Sequence, residues 1–471
     1  MNTVLNNKGY GILRSELTSE KEKFLLEDLT VKPFIHPDYD FNDNNFHSVY
    51  RFNSTRYYVP KYWGIKHYGI PKKITQYKDN KEIYEFKGKR KDYQIDFSNL
   101  LLKELTENGS CLGVSGTGSG KTVMMLWLMA QLNSKTLIVV NKETLLDQWI
   151  KRINQYLPNT TIGIIRQNTA QVDKQIVIGL IQSITQHEYP EGTFDGISFT
   201  IFDECHHLPS RVFSKAFYLL SHSKYMIGIT ATPERKDGLS KVLEWFLGNV
   251  VINLKDSDVD VPVVKFIESK YTSELKPKYN WKKNLIIGNM ETQIANDQGR
   301  TTQIVNETIK ISKEGRKILI LSSRIEHCKN IKNQLCDHPL FNKLKTVGLY
   351  IGGMKESQLT ESNKCDVIVA TYNMAYEGYD NPELDTLIMA TSKSDIKQAC
   401  GRILRQRNNY RPLIIDFIDS QYFGNQLKRR KEFYMKNNYI DYESMMSFKD
   451  IKKLNKKKDI NDNIISDECL L

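Results

Sequence analysis

The run Ile201-Phe202-Asp203-Glu204-Cys205-His206-His207 places five consecutive metal-binding or proton-transfer side chains behind an apolar stretch. Three chemistries could use them. A zinc-type centre would draw on Cys205 and the histidines, a thiol nucleophile would pair Cys205 with a histidine base, and a magnesium–nucleotide site would need the two carboxylates alone. Consecutive residues leaving a strand point to alternating faces, so five neighbours do not readily converge on one ion. Structural zinc sites space their ligands in pairs, and no second pair is in view. Proton transfer within a Cys-His pair depends on spatial adjacency, which sequence neighbours rarely achieve. The magnesium reading is therefore favoured, with Asp203 holding the ion and Glu204 polarising a water.

A second motif supplies the phosphate that this reading needs. Ser115-Gly116-Thr117-Gly118-Ser119-Gly120-Lys121-Thr122 lies between a short apolar piece and a helical stretch. The phosphate-loop pattern is Gly, four residues, then Gly-Lys-Ser/Thr. Here Ser115 stands where the first glycine would be. Gly116, Gly118 and Gly120 still allow backbone N–H groups to approach phosphate oxygens, and a helix from Lys121 points its positive end at them. Lys121 is expected to reach the β- and γ-phosphates of ATP and Thr122 to coordinate Mg²⁺. A Gly/Ser-rich linker is the competing reading. It is disfavoured because Gly-Lys-Thr runs directly into "VMMLWLMAQL".

The elements that must position these residues read as α/β. From Asp92 to Leu254, short β-branched runs ("TLIVV", "QIVIGL", "FTIFD", "YMIGIT") alternate with amphipathic stretches, as expected of buried strands in a parallel sheet. A polar, Pro-containing segment beginning at Lys255 contains the domain junction. Five further strand candidates follow, in "KILILSS", "VGLYIGG", "CDVIVAT", "LDTLIMAT" and "RPLIIDFI". Two successive α/β units, 92–254 and 255–440, imply two tandem open parallel-sheet domains with a cleft between them. Residues 1–91 show no clean period and are read as a small accessory domain or wrap, and 441–471 as a basic, solvated tail.

The 471 residues carry 67 Lys and Arg against 55 Asp and Glu, a net charge of +12 that favours a polyanionic partner. No apolar run approaches a membrane span, and the Met1 end lacks a signal-peptide core. The seven cysteines are scattered, odd in number and never in a C-x-x-C pair. This predicts a reducing, intracellular compartment and argues against a disulfide framework.

In order along the chain, the motifs resemble those of superfamily 2 helicases, which implies that the two parallel-sheet domains are tandem RecA-like domains with an ATP cleft between them. Asp203-Glu204-Cys205-His206 is similar to the family's D-E-x-H box, which implies that His206 links the ATP site to the coupling motif. "GITATPERKDG" places Thr230, Ala231 and Thr232 at the S/T-A-T positions, and "GKRKDYQ" resembles the R-x-Y-Q element, making Gln94 the adenine contact. "ATYNMAYEGYDNPELDTLI" resembles the motif carrying Gly378 and Asp380, counted with the ATP-binding residues. "QACGRILR" matches Q-x-x-G-R-x-x-R at Gln398, Gly401, Arg402 and Arg405, implying arginine fingers for the γ-phosphate.

From Tyr57 to Tyr439 the likeness narrows to the poxvirus-type transcript-release helicases and their relatives in other large nucleocytoplasmic DNA viruses. It rests on "VVNKETLLDQW", "TPERKDGLSKVLEWFLG", "YIGGMK" and "LIIDFID". Two departures stand out: Ser115, and Asn141-Lys142 where many helicases carry Pro-Thr. The resemblance implies a nucleic-acid strand, DNA before RNA, crossing both lobes at Lys142, Gln182, Arg324 and Thr371. It implies 3′→5′ unwinding or translocation in viral transcription termination, with transcription or replication machinery as partners. The host cytoplasm, its virus factories and the virion would be the setting. The alternatives are branch migration or reannealing in replication and repair, and a nucleic-acid-binding scaffold with a decayed ATPase. Against decay stands the presence of Lys121, Asp203, Glu204, Arg402 and Arg405.

Overall fold

The computed structural model describes residues 1–6, 8–32, 46–75, 81–116, 118–190, 192–207, 214–221, 223–231, 239–253, 260–281, 283, 285–342, 345–376, 379 and 381–441. Two compact units result, Met1–Asp256 and Ser257–Leu471.

The first unit is built on eight strands: β1 (Ser110–Val114), β2 (Thr136–Val140), β3 (Ile162–Arg166), β4 (Thr169–Ala170), β5 (Ile176–Leu180), β6 (Phe199–Asp203), β7 (Tyr225–Thr230) and β8 (Val250–Ile252). Their spatial order is β4-β3-β5-β2-β6-β7-β1-β8, and every pairing is parallel except β3 with β4. Strands β1, β2 and β5 are buried along their whole length. Both faces of the sheet are covered, so there is no wet side to reward a polar alternation. Alternate residues of β2 serve two cores, Leu137 and Val139 on one face, Ile138 and Val140 on the other. The main helices are α1 (Asp92–Asn108), α2 (Lys121–Leu132), α3 (Glu143–Tyr156), α4 (Ile181–Gln186) and α5 (Ser240–Leu247). Strand β8, Val250-Val251-Ile252, is apolar throughout but only three residues long and largely exposed at the sheet edge, too short for a period to mark it.

The aperiodic N-terminal region folds into a small mixed sheet packed on this unit. Its strands run in the order Arg51–Phe52, Arg56–Val59, Gly9–Leu13, Val4–Asn6, Lys73–Ile74. None exceeds five residues, too few for a period to show. The helix Lys61–Tyr68 lies against α5. There the ring of Tyr62 fills the space that a Cβ on Gly248 would need, 2.5 Å from Cζ. Close by, Tyr218 packs edge-on against Phe246 of α5, and its hydroxyl donates to the Val49 carbonyl at 2.6 Å.

The second unit is a seven-stranded sheet, parallel throughout: β9 (Val263–Glu268), β10 (Ile318–Ser322), β11 (Val347–Tyr350), β12 (Val367–Thr371), β13 (Thr386–Met389), β14 (Leu413–Ile418) and β15 (Ile440–Asp441). The order is β11-β12-β10-β13-β14-β9-β15. Five of these strands were expected; β9 and β15 add to them. Ile318 and Ile320 of β10 enter one core, Leu319 and Leu321 the other. Helices α6 (Ile287–Asn296), α7 (Gln298–Ser312), α8 (Ile325–Asp337) and α9 (Ser420–Lys436) flank the sheet. The fully buried Arg430 ties α9 to β14, donating to Asp416 Oδ2 at 2.9 Å. Both units are thus RecA-like α/β sheets. The tail from residue 442 lies outside the described residues, among which no helix is long and apolar enough to cross a membrane.

Candidate nucleotide site and nucleic-acid contacts

The candidate residues described in the first unit's sheet gather at the C-terminal ends of its strands, where loop N–H groups and helix N-termini are exposed. Across the sheet, Gln182 follows β5, Lys142 follows β2, Asp203 ends β6, Thr230 ends β7 and Ser115 follows β1. The two residues expected on nucleic acid therefore share one end of this rim. The nucleotide candidates occupy the other.

The phosphate loop is closed by its own side chains. Lys121 Nζ donates to the carbonyls of Ser115 and Gly116 at 3.2 and 3.1 Å. Ser115 Oγ donates to Ser119 Oγ at 2.7 Å, which donates to the Gly116 carbonyl at 2.8 Å. Gly118 and Gly120 have φ of +84° and +81°, a region that side chains disfavour. A Cβ on Gly120 would also lie 2.2 Å from Gln94 Nε2. Gln94 is buried and clamps the start of α1 to the loop. Its Nε2 donates to the Ser119 carbonyl at 2.9 Å and its Oε1 accepts from the Lys91 N–H at 2.9 Å. Thr122 sits half-buried in the first turn of α2; Thr117 lies outside the described residues.

Ser115 is explained by what its hydroxyl touches. The residue is 2% exposed, and its Oγ accepts from Asn253 Nδ2 at 3.0 Å, just beyond β8. Its backbone is not in the left-handed region, so glycine's freedom is unnecessary there. Asn253 carried no sequence signal, since its partner lies on a strand distant in the chain.

The five side chains at the end of β6 diverge. Asp203 Oδ1 accepts the Glu204 N–H at 2.9 Å, and Oδ2 accepts the indole N–H of Trp149 at 2.8 Å. Burial, reinforced by the charge of Glu204, pushes the Asp203 carboxyl up to about 6, with Trp149 and Lys121 opposing. Glu204 has φ of +46°, a strained conformation for a residue with a Cβ. Its Oε2 lies 3.3 Å from His206 Nδ1, and the same nitrogen is 2.9 Å from Thr230 Oγ1. Carboxylate, imidazole and hydroxyl thus form a chain from the tip of β6 to the tip of β7. Cys205 instead faces the core: it is fully buried, burial pushes its thiol well up, and it packs where a Cβ on Gly228 would fall. Among the described residues, no group of three or more His, Cys, Asp or Glu side chains is placed to share an ion. Thr232 lies outside the described residues.

Trp149 is the second residue that sequence reasoning missed. A tryptophan on the apolar face of "ETLLDQWIKRINQYL" is already accounted for by core packing, and a bond to a residue 54 positions away leaves no local mark.

In the second unit, Arg402 is buried and donates through Nη1 to the Tyr379 carbonyl and through Nη2 to the Tyr376 carbonyl. Arg405, half-buried, donates to the Tyr379 carbonyl at 2.8 Å. Both guanidinium groups therefore brace the segment that carries Gly378 and Asp380, which themselves lie outside the described residues. Gln398 is half-buried on the short helix Lys397–Cys400 that leads into this turn. Thr371 ends β12 in register with Ser322 at the end of β10, and Arg324 follows two residues later. Arg324 is held by α6, donating through Nη2 to the Gly288 carbonyl at 2.7 Å and through Nε to Thr292 Oγ1 at 3.0 Å. Back in the first unit, Gln182 Nε2 donates to the Asn141 carbonyl at 3.1 Å, so Gln182 joins the loop that carries Lys142.

A family model for the type III restriction enzyme res subunit matches residues 87–235, which span Gln94, the phosphate loop and the β6 and β7 tips. A protein of Acanthamoeba polyphaga mimivirus, L396, named for ATP-dependent RNA helicase activity, is 30% identical over 93% of this chain and 86% of its own length. The chain belongs to the superfamily 2 helicases. Helicase 161L of Invertebrate iridescent virus 6 is 25% identical to it, over 71% of this chain and 78% of its own. QP509L of African swine fever virus, also named for RNA helicase activity, is 23% identical over 70% of each chain. This helicase is accordingly an ATP hydrolase coupled to nucleic-acid unwinding or translocation, and it is similar to helicases of mimivirus, iridescent virus and African swine fever virus.

Proposed function

We propose that this helicase hydrolyses Mg²⁺–ATP at the rim of the first sheet and moves 3′→5′ along DNA in viral transcription termination and transcript release. The observation that carries the hydrolytic part is the Glu204–His206–Thr230 chain, which begins beside the half-buried Asp203 and ends at the coupling segment. Asp203, with its carboxyl raised by burial beside a second acid, is an environment that a divalent cation relieves, so the residues fit Mg²⁺. Asp203 and Thr122 would hold it, and it would supply charge neutralisation on the phosphates.

The chain's own groups do the rest. Lys121 exchanges the Ser115 and Gly116 carbonyls for the β- and γ-phosphates, while the N–H groups from Gly116 to Gly120 cradle them. Gln94 contacts adenine, and Glu204 orients the attacking water and accepts its proton. His206 reports the state of that acid to Thr230 and, through it, to Thr232. From the second unit, Arg405 is assigned the γ-phosphate contact as the more exposed arginine. Arg402 holds the segment with Gly378 and Asp380, and Gln398 lines the same turn. Lys142 and Gln182, with Arg324 and Thr371, are assigned to the nucleic-acid backbone, which implies weak sequence preference and strong salt dependence.

DNA, direction and the transcript-release role are supported by the motif resemblance; RNA as substrate is a second reading, favoured by the names of the mimivirus and swine fever virus relatives. ATPase assays with single-stranded DNA, duplex DNA and single-stranded RNA, then unwinding of tailed duplexes, decide between them. DNA stimulation and unwinding from 3′ tails are expected; preference for RNA moves the assignment to the second reading, and unwinding from 5′ tails reverses the direction. In the same assays Lys121→Ala should abolish turnover. Glu204→Gln should keep ATP binding and stall hydrolysis, and loss of binding instead would count against its role.

A further inference from the structure

Between β9 and α6 lies a segment that neither the sheet nor the nucleotide site requires. Its ends pair as a hairpin: Tyr279 and Leu285 make an antiparallel bridge, and the Ile286 N–H donates to the Lys278 carbonyl at 2.8 Å, while residues 282 and 284 lie outside the described residues. At its turn the Lys283 N–H donates to the Asn280 carbonyl at 2.9 Å, with Lys283 at φ of +60°.

The base of this hairpin is anchored. Gln293 of α6 clasps Lys276 on both sides, donating to its carbonyl at 2.7 Å and accepting from its N–H at 2.8 Å. Leu275 and Leu285 enter a small apolar cluster with Met290, Ile294 and Phe423. The tip, by contrast, is offered to solvent. Trp281 is 80% exposed, the most exposed aromatic among the described residues, and Tyr279 is 59% exposed. The chain's four other tryptophans are buried or half-buried. Lys276, Lys278 and Lys283 of the same segment are exposed as well, and the stretch from Lys276 to Lys283 holds four lysines and no acid.

A wet indole on a firmly mounted hairpin forgoes burial and loses little conformational entropy when a flat partner covers it. Aromatic faces set among cations suit bases set among phosphates. A protein partner would also use an exposed tryptophan, but protein-interface cores are depleted in lysine, which disfavours that occupant here. The mounting helix is also the one that Arg324 grips through Gly288 and Thr292.

We propose that the 276–285 hairpin is a nucleic-acid-binding element in which Trp281 stacks on a base and Lys276, Lys278 and Lys283 hold the neighbouring phosphates. This rests on the helicase assignment and adds a contact outside the motif residues.

The test uses the full chain with Trp281→Ala, Trp281→Tyr, Trp281→Leu and the double variant Lys278→Ala/Lys283→Ala. Binding of fluorescein-labelled oligo-dT and oligo-U is followed by anisotropy over a salt series, and ATPase is measured with and without each oligonucleotide. Trp281→Ala should weaken binding by between about 5-fold and about 150-fold, with the ATPase rate in the absence of nucleic acid unchanged. Tyrosine should restore most of the loss and leucine should not. The double lysine variant should flatten the slope of log affinity against log salt by about 1.4. Wild-type binding by Trp281→Ala to both oligonucleotides overturns the proposal. So does rescue by leucine equal to that by tyrosine, which is the mark of an apolar protein-docking site. A wild-type ATPase that neither oligonucleotide binds nor stimulates would instead remove the helicase assignment, and the proposal with it.

Discussion

The indole N–H of Trp149 donates to Oδ2 of Asp203 at 2.8 Å, joining α3 to the tip of β6. The other oxygen accepts the Glu204 N–H, so the two bonds together set the rotation of the carboxylate. Trp149→Phe keeps an aromatic ring in the core and deletes only the donor. A hydrogen bond to a charged group is worth about 1.5–3 kcal/mol, so kcat for ATP should fall by roughly tenfold or more, with KM little changed. Steady-state kinetics check this; a wild-type kcat would show that Asp203 does not depend on the indole.

Restoring the common phosphate-loop glycine should harm this enzyme. In Ser115→Gly the Asn253 amide loses its acceptor and Ser119 its donor, with no gain from a backbone that does not need glycine. Leaving a buried polar group unsatisfied costs about 1–3 kcal/mol. Nucleotide titration should show weaker ATP binding, and calorimetry a lower Tm. Improved binding would mean that the hydroxyl network is incidental.

The two motif arginines should separate by phenotype. Arg405→Ala is expected to lower kcat by about 10³-fold with a near-native melting curve. Arg402→Ala removes donors to two carbonyls in a buried setting and should lower Tm as well as activity. Equal melting curves for both variants, or an unaffected rate in Arg405→Ala, would contradict this division.

A pH-dependent stability difference should appear at Lys61, far from the nucleotide. Burial brings its ammonium down to about 8 from an ordinary 10.5, although Nζ donates to the Asn108 carbonyl at 2.9 Å. Below about 8 the group is charged in folded and unfolded states alike, and the burial cost is fully present. Between about 8 and 10.5 the unfolded chain binds more protons, so wild-type stability rises with pH relative to a variant without the amine. Lys61→Met should therefore have the higher Tm at pH 7, by several degrees, and the gap should close as pH approaches 10.5. Melting curves across that range measure it, and a gap independent of pH would refute the assignment.

Much of the site was legible from local patterns. Gly118 and Gly120 occupy left-handed backbone, the conformation for which glycine is the cheap residue, and Lys121 directly follows them. The short, mostly apolar runs of β2 and β5 mark strands that are buried along their whole length. The short N-terminal strands and the exposed β8 edge were missed because two or three residues at a wet edge are too few to show a pattern of burial, even where, as in Val250-Val251-Ile252, all are apolar.

The amino-acid sequence by itself determined the α/β class, the phosphate loop, the acid pair and the order of the motifs. Each of these is set by neighbours within a turn or a strand, where residue type and spacing carry the physics. Only the tertiary structure decided that Asn253 completes Ser115, that Trp149 steadies Asp203, that the expected His206 link runs from Glu204 to the Thr230 hydroxyl, and that Trp281 is 80% exposed. These contacts depend on which strand lies beside which, a choice made by the packing of both cores at once and not written into any single period of the chain.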